Sequence, residues 1–220
     1  MGCQEVGTWM VKTWSDDNPK ARLMERKRTQ IVDAALKAFL ESGYAEASVN
    51  HIADAAGVSI KTLYRHFESK AELFTAVMEA ACGDPQDAPA EPAWYSEPPE
   101  TALPVSGELY LRHALSPAQL ALFRVVVRDA HRFPEIGRRY HEQTIGFAEA
   151  RLSGYLDRWK DRHSWFIRDQ RLAAQTFIQL LKAGFDDVML GLRAPLDEEI
   201  VERARHSSFV MFLLFEAGRL

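Results

Sequence analysis

The stretch AGVSIKTLYRHF, residues 56–67, decides how this chain is read. A glycine precedes a serine able to cap a helix, and the run that follows has Leu63 and Phe67, four residues apart, as its anchors for a core. A helix built only to pack would carry leucines where this one has Ser59, Lys61, Thr62, Arg65 and His66. Its outer face therefore has a purpose beyond packing.

The flanks explain that face. Ser48 caps a short helix that ends at Gly57, where a tight turn requires positive φ. Ile52 and Val58 are apolar where two helices would pinch together, and Ala53 is small where they would cross. Upstream, Ile31, Ala34, Ala35, Ala38, Phe39 and Ser42 fall on one face of a helix that Gly43 stops. Downstream, SKAE at residues 69–72 is a capping-box pattern opening a helix that ends near Cys82. Three helices so spaced form a helix-turn-helix unit, whose second helix suits a major groove.

Charge agrees with that unit. The chain has 220 residues and net charge −4. Residues 20–70 hold nine Lys and Arg against six acids, so a +3 segment sits on a −7 remainder. A basic end on an acidic body is the asymmetry of a modular binder. No apolar run approaches the roughly 20 residues of a membrane span, so no membrane partner is expected. The N-terminus has no signal-peptide block, and Cys3 and Cys82 suggest neither a disulfide framework nor a metal site. A cytoplasmic protein without cofactor or metal is expected. No nucleophile elbow, P-loop, HExxH or paired-cysteine motif occurs, so an enzyme is not expected.

The rest of the chain reads as helix, and no run alternates as a strand would. Residues 83–104 hold six of the ten prolines and read as a Pro-rich loop, although Trp94 and Tyr95 within it look fit to dock on the body. Pro117 and Pro134 suit first helical positions. Residues 134–162 read as a single helix, and residues 168–192 as one apolar nearly all round, with Ala183 and Gly184 permitting close approach of a neighbour. Asp197 is placed to cap the last helix. That helix contains FVMFLLF, residues 209–215, which is apolar on every side and calls for a partner surface.

The segment SVNHIADAAGVSIKTLYRHFESKAELF, residues 48–74, resembles the DNA-binding domain of the TetR family of bacterial transcriptional regulators. The specific parts are IADAAGVS, LYRHF and SKAEL together; the remainder resembles the family only in general plan. The resemblance implies an all-α chain: a mobile extension at 1–20, a helix-turn-helix domain at 21–68 and a helical effector and dimerisation domain at 69–220. Within the last, residues 69–82 form the connecting helix and 83–104 the loop. It implies a homodimer joined by its last two helices, reading a palindromic DNA operator. A small hydrophobic or amphipathic effector would release it, making repression the expected mode.

Site residues follow one at a time. Ile60, Lys61 and Thr62, just past the cap Ser59, fall where the family touches base edges; Tyr64, His66 and Lys70 fall where it binds phosphate. Ser48 matches a phosphate-contacting cap, Asn50 a position that reaches a base in some members, and Arg22, Lys27 and Arg28 the basic arm before the first helix. Lysine can donate to guanine, asparagine can pair with adenine, and isoleucine can touch a thymine methyl. A plainer reading stays open: Ile60, Leu63, Tyr64 and Phe67 form one stripe, so Ile60 and Tyr64 can be core. For the effector, the central helices offer Phe123, His131, Phe133, Tyr140, Phe147, Trp159 and Phe177, which at helical spacing suit a core as well as a pocket. Two rival functions remain: a ligand-independent structural DNA-binding protein, and an all-helical enzyme with an incidental helix-turn-helix.

Overall fold

A computed structural model describes residues 19–82, 91–160 and 167–220. Most of the 1–20 extension, residues 83–90 of the Pro-rich loop and the 161–166 segment lie outside these. Among the described residues every regular element is helical: α1 Pro19–Glu46, α2 Val49–Ala55, α3 Ile60–His66, α4 Lys70–Cys82, α5 Pro99–Ala114, α6 Pro117–Asp129, α7 Pro134–Gln143, α8 Ile145–Trp159, α9 Gln170–Lys182, α10 Asp186–Leu190 and α11 Asp197–Glu216, with a 3₁₀ turn at Ala93–Ser96. No helix among them is long and apolar enough to cross a membrane.

The local signals of the first unit are realised. Ser48 Oγ accepts from His51 N at 3.5 Å and Ser59 Oγ from Thr62 N at 3.1 Å, so both serines cap their helices. Gly57 has φ +66, and Val58 N closes the turn on Ala53 O at 3.0 Å. Ser69 Oγ accepts from Glu72 N at 3.1 Å, and Glu72 reaches back to Glu68 N at 2.5 Å. Gly43 does interrupt α1, with φ 82 and ψ 177, although one more helical turn follows it.

Two cores hold the chain together. In the first, Ile31, Phe39, Ile52, Leu63, Phe67 and Phe74 are buried, as are Leu122, Val125 and Val126 of α6 and Ile136 of α7. The helix-turn-helix unit thus shares its core with the body rather than closing on itself. The second core joins α5, α8, α9 and α11 through Leu103, Leu111, Tyr155, Phe177, Leu181 and Phe215. Gly107 on α5 makes the tightest approach there: a Cβ would lie 2.9 Å from Leu181 Cδ2 and 3.1 Å from Phe177 Cζ.

Five expectations change. Residues 22–28 are not an arm but part of α1, which begins at Pro19. The Pro-rich loop ends earlier: Pro99 opens α5, and Pro104 lies inside its first two turns. Residues 134–162 do not form one helix, because Thr144, at φ −118 and ψ −82, separates α7 from α8. Its Oγ1 donates to Tyr140 O at 2.6 Å, giving the backbone an alternative to continued helix. The 168–192 helix likewise breaks after Ala183, where Gly184 takes φ +87, and α9 turns Arg171 and Gln179 to solvent rather than being apolar all round. Asp197 is not the cap; Leu196 occupies that position, its N–H donating to Glu199 Oε2 at 3.2 Å. Asp197 instead pairs with Arg112 at 2.8 Å.

Trp94 and Tyr95 do dock on the body. Both rings pack on Tyr155, with centroids 5.3 and 5.6 Å away, and the Tyr95 hydroxyl donates to the Arg151 carbonyl. Tyr155 returns a bond to Glu97 O at 2.7 Å, so the segment before α5 is tied to α8 from both sides.

Candidate nucleic-acid interface and effector cavity

On α3, Leu63 and Phe67 are each 1% exposed and pin the helix to the first core. Ile60 and Tyr64 belong by spacing to the same stripe, yet they are 37% and 50% exposed, so the plain core reading fails for both. Lys61 and Arg65 are exposed beside them. Thr62 is half-buried, its hydroxyl 2.9 Å from Ser59 Oγ. Ser48 and Asn50 are exposed at the start of α2, and Arg22 is exposed on α1. Lys27 and Arg28 are half-buried on α1; the Arg28 guanidinium lies 5.2 Å from the centroid of Phe67.

His66 is not turned outward as expected. Its Nε2 is buried without a hydrogen-bond partner among the described residues, and its ring lies against Phe67. Burial, then the cations Arg65, Arg28 and Lys27, push its pKa down against the pull of Glu25. A neutral imidazole with that nitrogen sealed is not posed to bind phosphate through it. Lys70 is also engaged: Nζ donates to Ala45 O at 3.1 Å and sits 4.9 Å over the Tyr44 ring. Burial lowers its pKa, while Asp129 and Glu46 oppose the shift. An ammonium has three donors, so one bond to Ala45 leaves capacity for a phosphate.

Behind this surface the body grips the end of α1. Asp129, only 4% exposed at the end of α6, accepts from Ala45 N at 3.1 Å. The neighbouring Arg128 lays its guanidinium against Gly43, in the space a side chain there would occupy. Arg139 of α7 donates to Thr75 Oγ1 of α4 at 2.7 Å, and Gln143 to Glu79 at 3.4 Å. The first unit is therefore connected to α6 and α7 by hydrogen bonds as well as by a shared core.

A cavity of about 600 Å³ opens within the helical body, a size that suits a drug-sized ligand. Phe123, Tyr140, Phe147 and Phe177 line it, as expected. The other three do not. His131 is exposed on the turn after α6. Phe133, displaced to the start of α7 by the proline after it, packs edge-on against Tyr44 at 5.1 Å in the first core. Trp159 packs on Tyr155 at 6.0 Å, outside the cavity wall.

The cavity also uses groups that sequence reasoning passed over. Gln119 is 1% exposed; its Nε2 donates to His113 Nε2 at 2.8 Å, and its Oε1 accepts from the Tyr140 hydroxyl at 3.4 Å. Burial lowers the His113 pKa, consistent with a neutral ring accepting that bond. Tyr110 is held far above the usual phenol range, mainly by burial. Trp94, Arg151 and Lys182 complete the polar and aromatic edge. No sequence motif marks these six, because they come from elements that meet only on folding. Among the described residues no cluster of His, Cys, Asp and Glu could hold a metal ion.

Comparison with known proteins bears on both sites. Residues 31–77 match the family model "Bacterial regulatory proteins, tetR family", and residues 101–215, more than half of the chain, match "AefR-like transcriptional repressor, C-terminal domain". The HTH-type transcriptional activator FasR of Mycolicibacterium smegmatis is 46% identical over 55 residues, and the HTH-type transcriptional regulator TtgR of Pseudomonas putida is 39% identical over 56. These stretches span 25% and 27% of those relatives, and 25% and 26% of this chain. Among solved structures, the flavonoid-responsive regulator FrrA superposes with a TM-score of 0.72 at 30% identity, covering 86% of this chain and 96% of that one. NalD, the secondary repressor of the MexAB-OprM efflux pump in Pseudomonas aeruginosa, shares the fold with a TM-score of 0.67 at 21% identity, over 86% and 97% of the two chains.

Proposed function

This chain belongs to the TetR family of bacterial regulatory proteins, and from that premise we propose that it is a sequence-specific transcriptional repressor whose grip on DNA is set by a small molecule in its helical body. The observation that carries the reading is α3. Two buried anchors hold it, and it offers Ile60, Lys61, Tyr64 and Arg65 to the outside. In this reading Lys61 and Ile60 meet base edges. Tyr64, Arg22, Lys70 and the exposed caps of α2 and α3 meet phosphates, which fix register without reading sequence. His66 serves as packing beneath them.

Regulators of this family bind DNA as dimers. Here α11 supplies the surface that supports pairing: Phe209 and Leu213, four residues apart, are 59% and 48% exposed. Two copies joined there would present two α3 helices to half-sites about 34 Å apart. Effector entry between α5, α6, α8 and α9 would bias α6 and α7. Their bonds to Ala45 and Thr75 would carry that bias to the DNA-reading unit, provided the effector binds the two states unequally. The cytoplasm is the compartment this activity requires.

Selection of binding sites from random duplex DNA, followed by fluorescence anisotropy on the selected and a scrambled site, tests the reading. Salt-sensitive, sequence-dependent binding that Lys61→Ala weakens on the selected site is the expected result. Failure to enrich any sequence would remove specific regulation and leave the structural DNA-binding alternative in front.

A further inference from the structure

The charge on the cavity wall is one-sided. Among the described residues that line it, two, Arg151 and Lys182, are cations, and none is a carboxylate. Arg151 is already engaged: its guanidinium lies 5.1 Å from the Phe147 centroid, and its carbonyl holds Tyr95. The side chain of Lys182, the last residue of α9, makes no ion pair or hydrogen bond among the described residues. The acid whose charge acts on it is Glu149 of α8, which is not among the described wall residues and is bonded to Gln175 Nε2 at 3.3 Å. Burial pushes the Lys182 pKa down, and Glu149 only partly opposes it.

The remaining wall is largely aromatic and aliphatic, and its polar relay of His113, Gln119 and Tyr140 offers hydrogen bonds but no charge. Aromatic faces can hold a cationic ligand, so the rings alone do not decide its sign. The fixed positive charges do. A cationic ligand would enter beside two cations with no carboxylate among the described wall residues to offset them. An anionic head would supply a directly bonded partner for the Lys182 ammonium, in a setting where charge-assisted hydrogen bonds are strong.

We propose that the cavity selects an amphipathic anion, with its bulky apolar body against the aromatic wall and a carboxylate on the Lys182 ammonium. This rests on reading the cavity as the effector site, and it adds the chemical class of the effector.

Calorimetry without DNA tests it, using three probes that share one naphthyl body: 2-naphthylacetate, 2-naphthaleneethanol and (2-naphthylmethyl)trimethylammonium. On the wild-type protein the carboxylate should bind roughly tenfold or more tighter than the alcohol, and the ammonium no tighter than the alcohol. Lys182→Met should reduce the carboxylate preference to within about threefold, a loss of most of the charge-assisted bond, while Lys182→Arg retains it. Circular dichroism confirms that each variant is folded. Equal binding of carboxylate and alcohol, tightest binding of the ammonium, no binding of any probe, or a preference unchanged in Lys182→Met would each overturn the proposal. Because no DNA is present, these outcomes are independent of operator selection, so failure of the anion assignment and failure of the regulator reading are separately visible.

Discussion

The carboxylate of Asp129 accepts a hydrogen bond from the backbone N–H of Ala45 across 84 residues of sequence, at 3.1 Å. This bond joins the end of α6, in the helical body, to the last turn of α1, just ahead of the cap of α2. Lys70 holds the carbonyl of the same residue, so Ala45 is clamped through both of its peptide groups. Asp129→Ala would leave a part-buried N–H without its acceptor and should lower stability by about 1–3 kcal/mol, read as a drop in unfolding temperature. Asp129→Asn, which keeps an oxygen acceptor, should cost less. If both variants unfold like wild type, the clamp contributes nothing.

Gly43 lies under the Arg128 guanidinium, at φ 82 and ψ 177. That backbone region belongs almost entirely to glycine, so Gly43→Ala should cost about 1–3 kcal/mol from backbone strain alone. Displacing Arg128 adds to it. Denaturant unfolding reads the total, and a loss within 0.5 kcal/mol, the size of a neutral surface change, would contradict the geometry.

The half-buried imidazole of His66 has a folded-state pKa below its unfolded value of about 6.5. The unfolded chain then binds more protons over the interval between the two values, so stability is complete above about pH 6.5 and falls as pH drops through that interval. His113 shifts in the same direction and contributes likewise. Replacing His66 with Gln should shrink the acid-side loss without abolishing it. An identical pH profile of unfolding would show that Nε2 is not withdrawn from solvent as described.

Lys61→Ala and Arg22→Ala should fail in different ways. A base-reading lysine lost from α3 relaxes discrimination by about 1–3 kcal/mol at one position of the site. A phosphate-facing arginine lost from α1 weakens all sequences alike and reduces the salt slope by about 1. Anisotropy titrations on matched and mismatched sites over a salt series separate the two, and interchanged behaviour would reverse the assigned roles.

Phe209→Glu with Leu213→Glu should leave the fold intact, because both side chains already face solvent. It should convert a dimer to a monomer in sedimentation and cost operator affinity. A wild-type protein that sediments as a monomer at micromolar concentration would argue against pairing through α11.

Several parts of this protein were legible in its residues because their causes are local. Ser48, Ser59 and Ser69 cap what they precede, Gly57 supplies the φ its turn needs, and the spacing of Leu63 and Phe67 orients α3. Each signal acts within about one helical turn, the range over which caps, turns and side-chain periodicity operate. Tertiary structure decided the rest. Phe123 and Phe133 look alike in sequence, yet one lines the cavity and the other packs on Tyr44. His66 looks like a surface cation, yet it is half-buried beside Phe67 with its Nε2 out of reach of solvent. Asp129 carries no mark of its bond to Ala45, and Lys182 none of its place on an apolar wall. Burial, partners and local charge belong to whichever helices face one another, and packing between distant segments sets that after the local helices are specified.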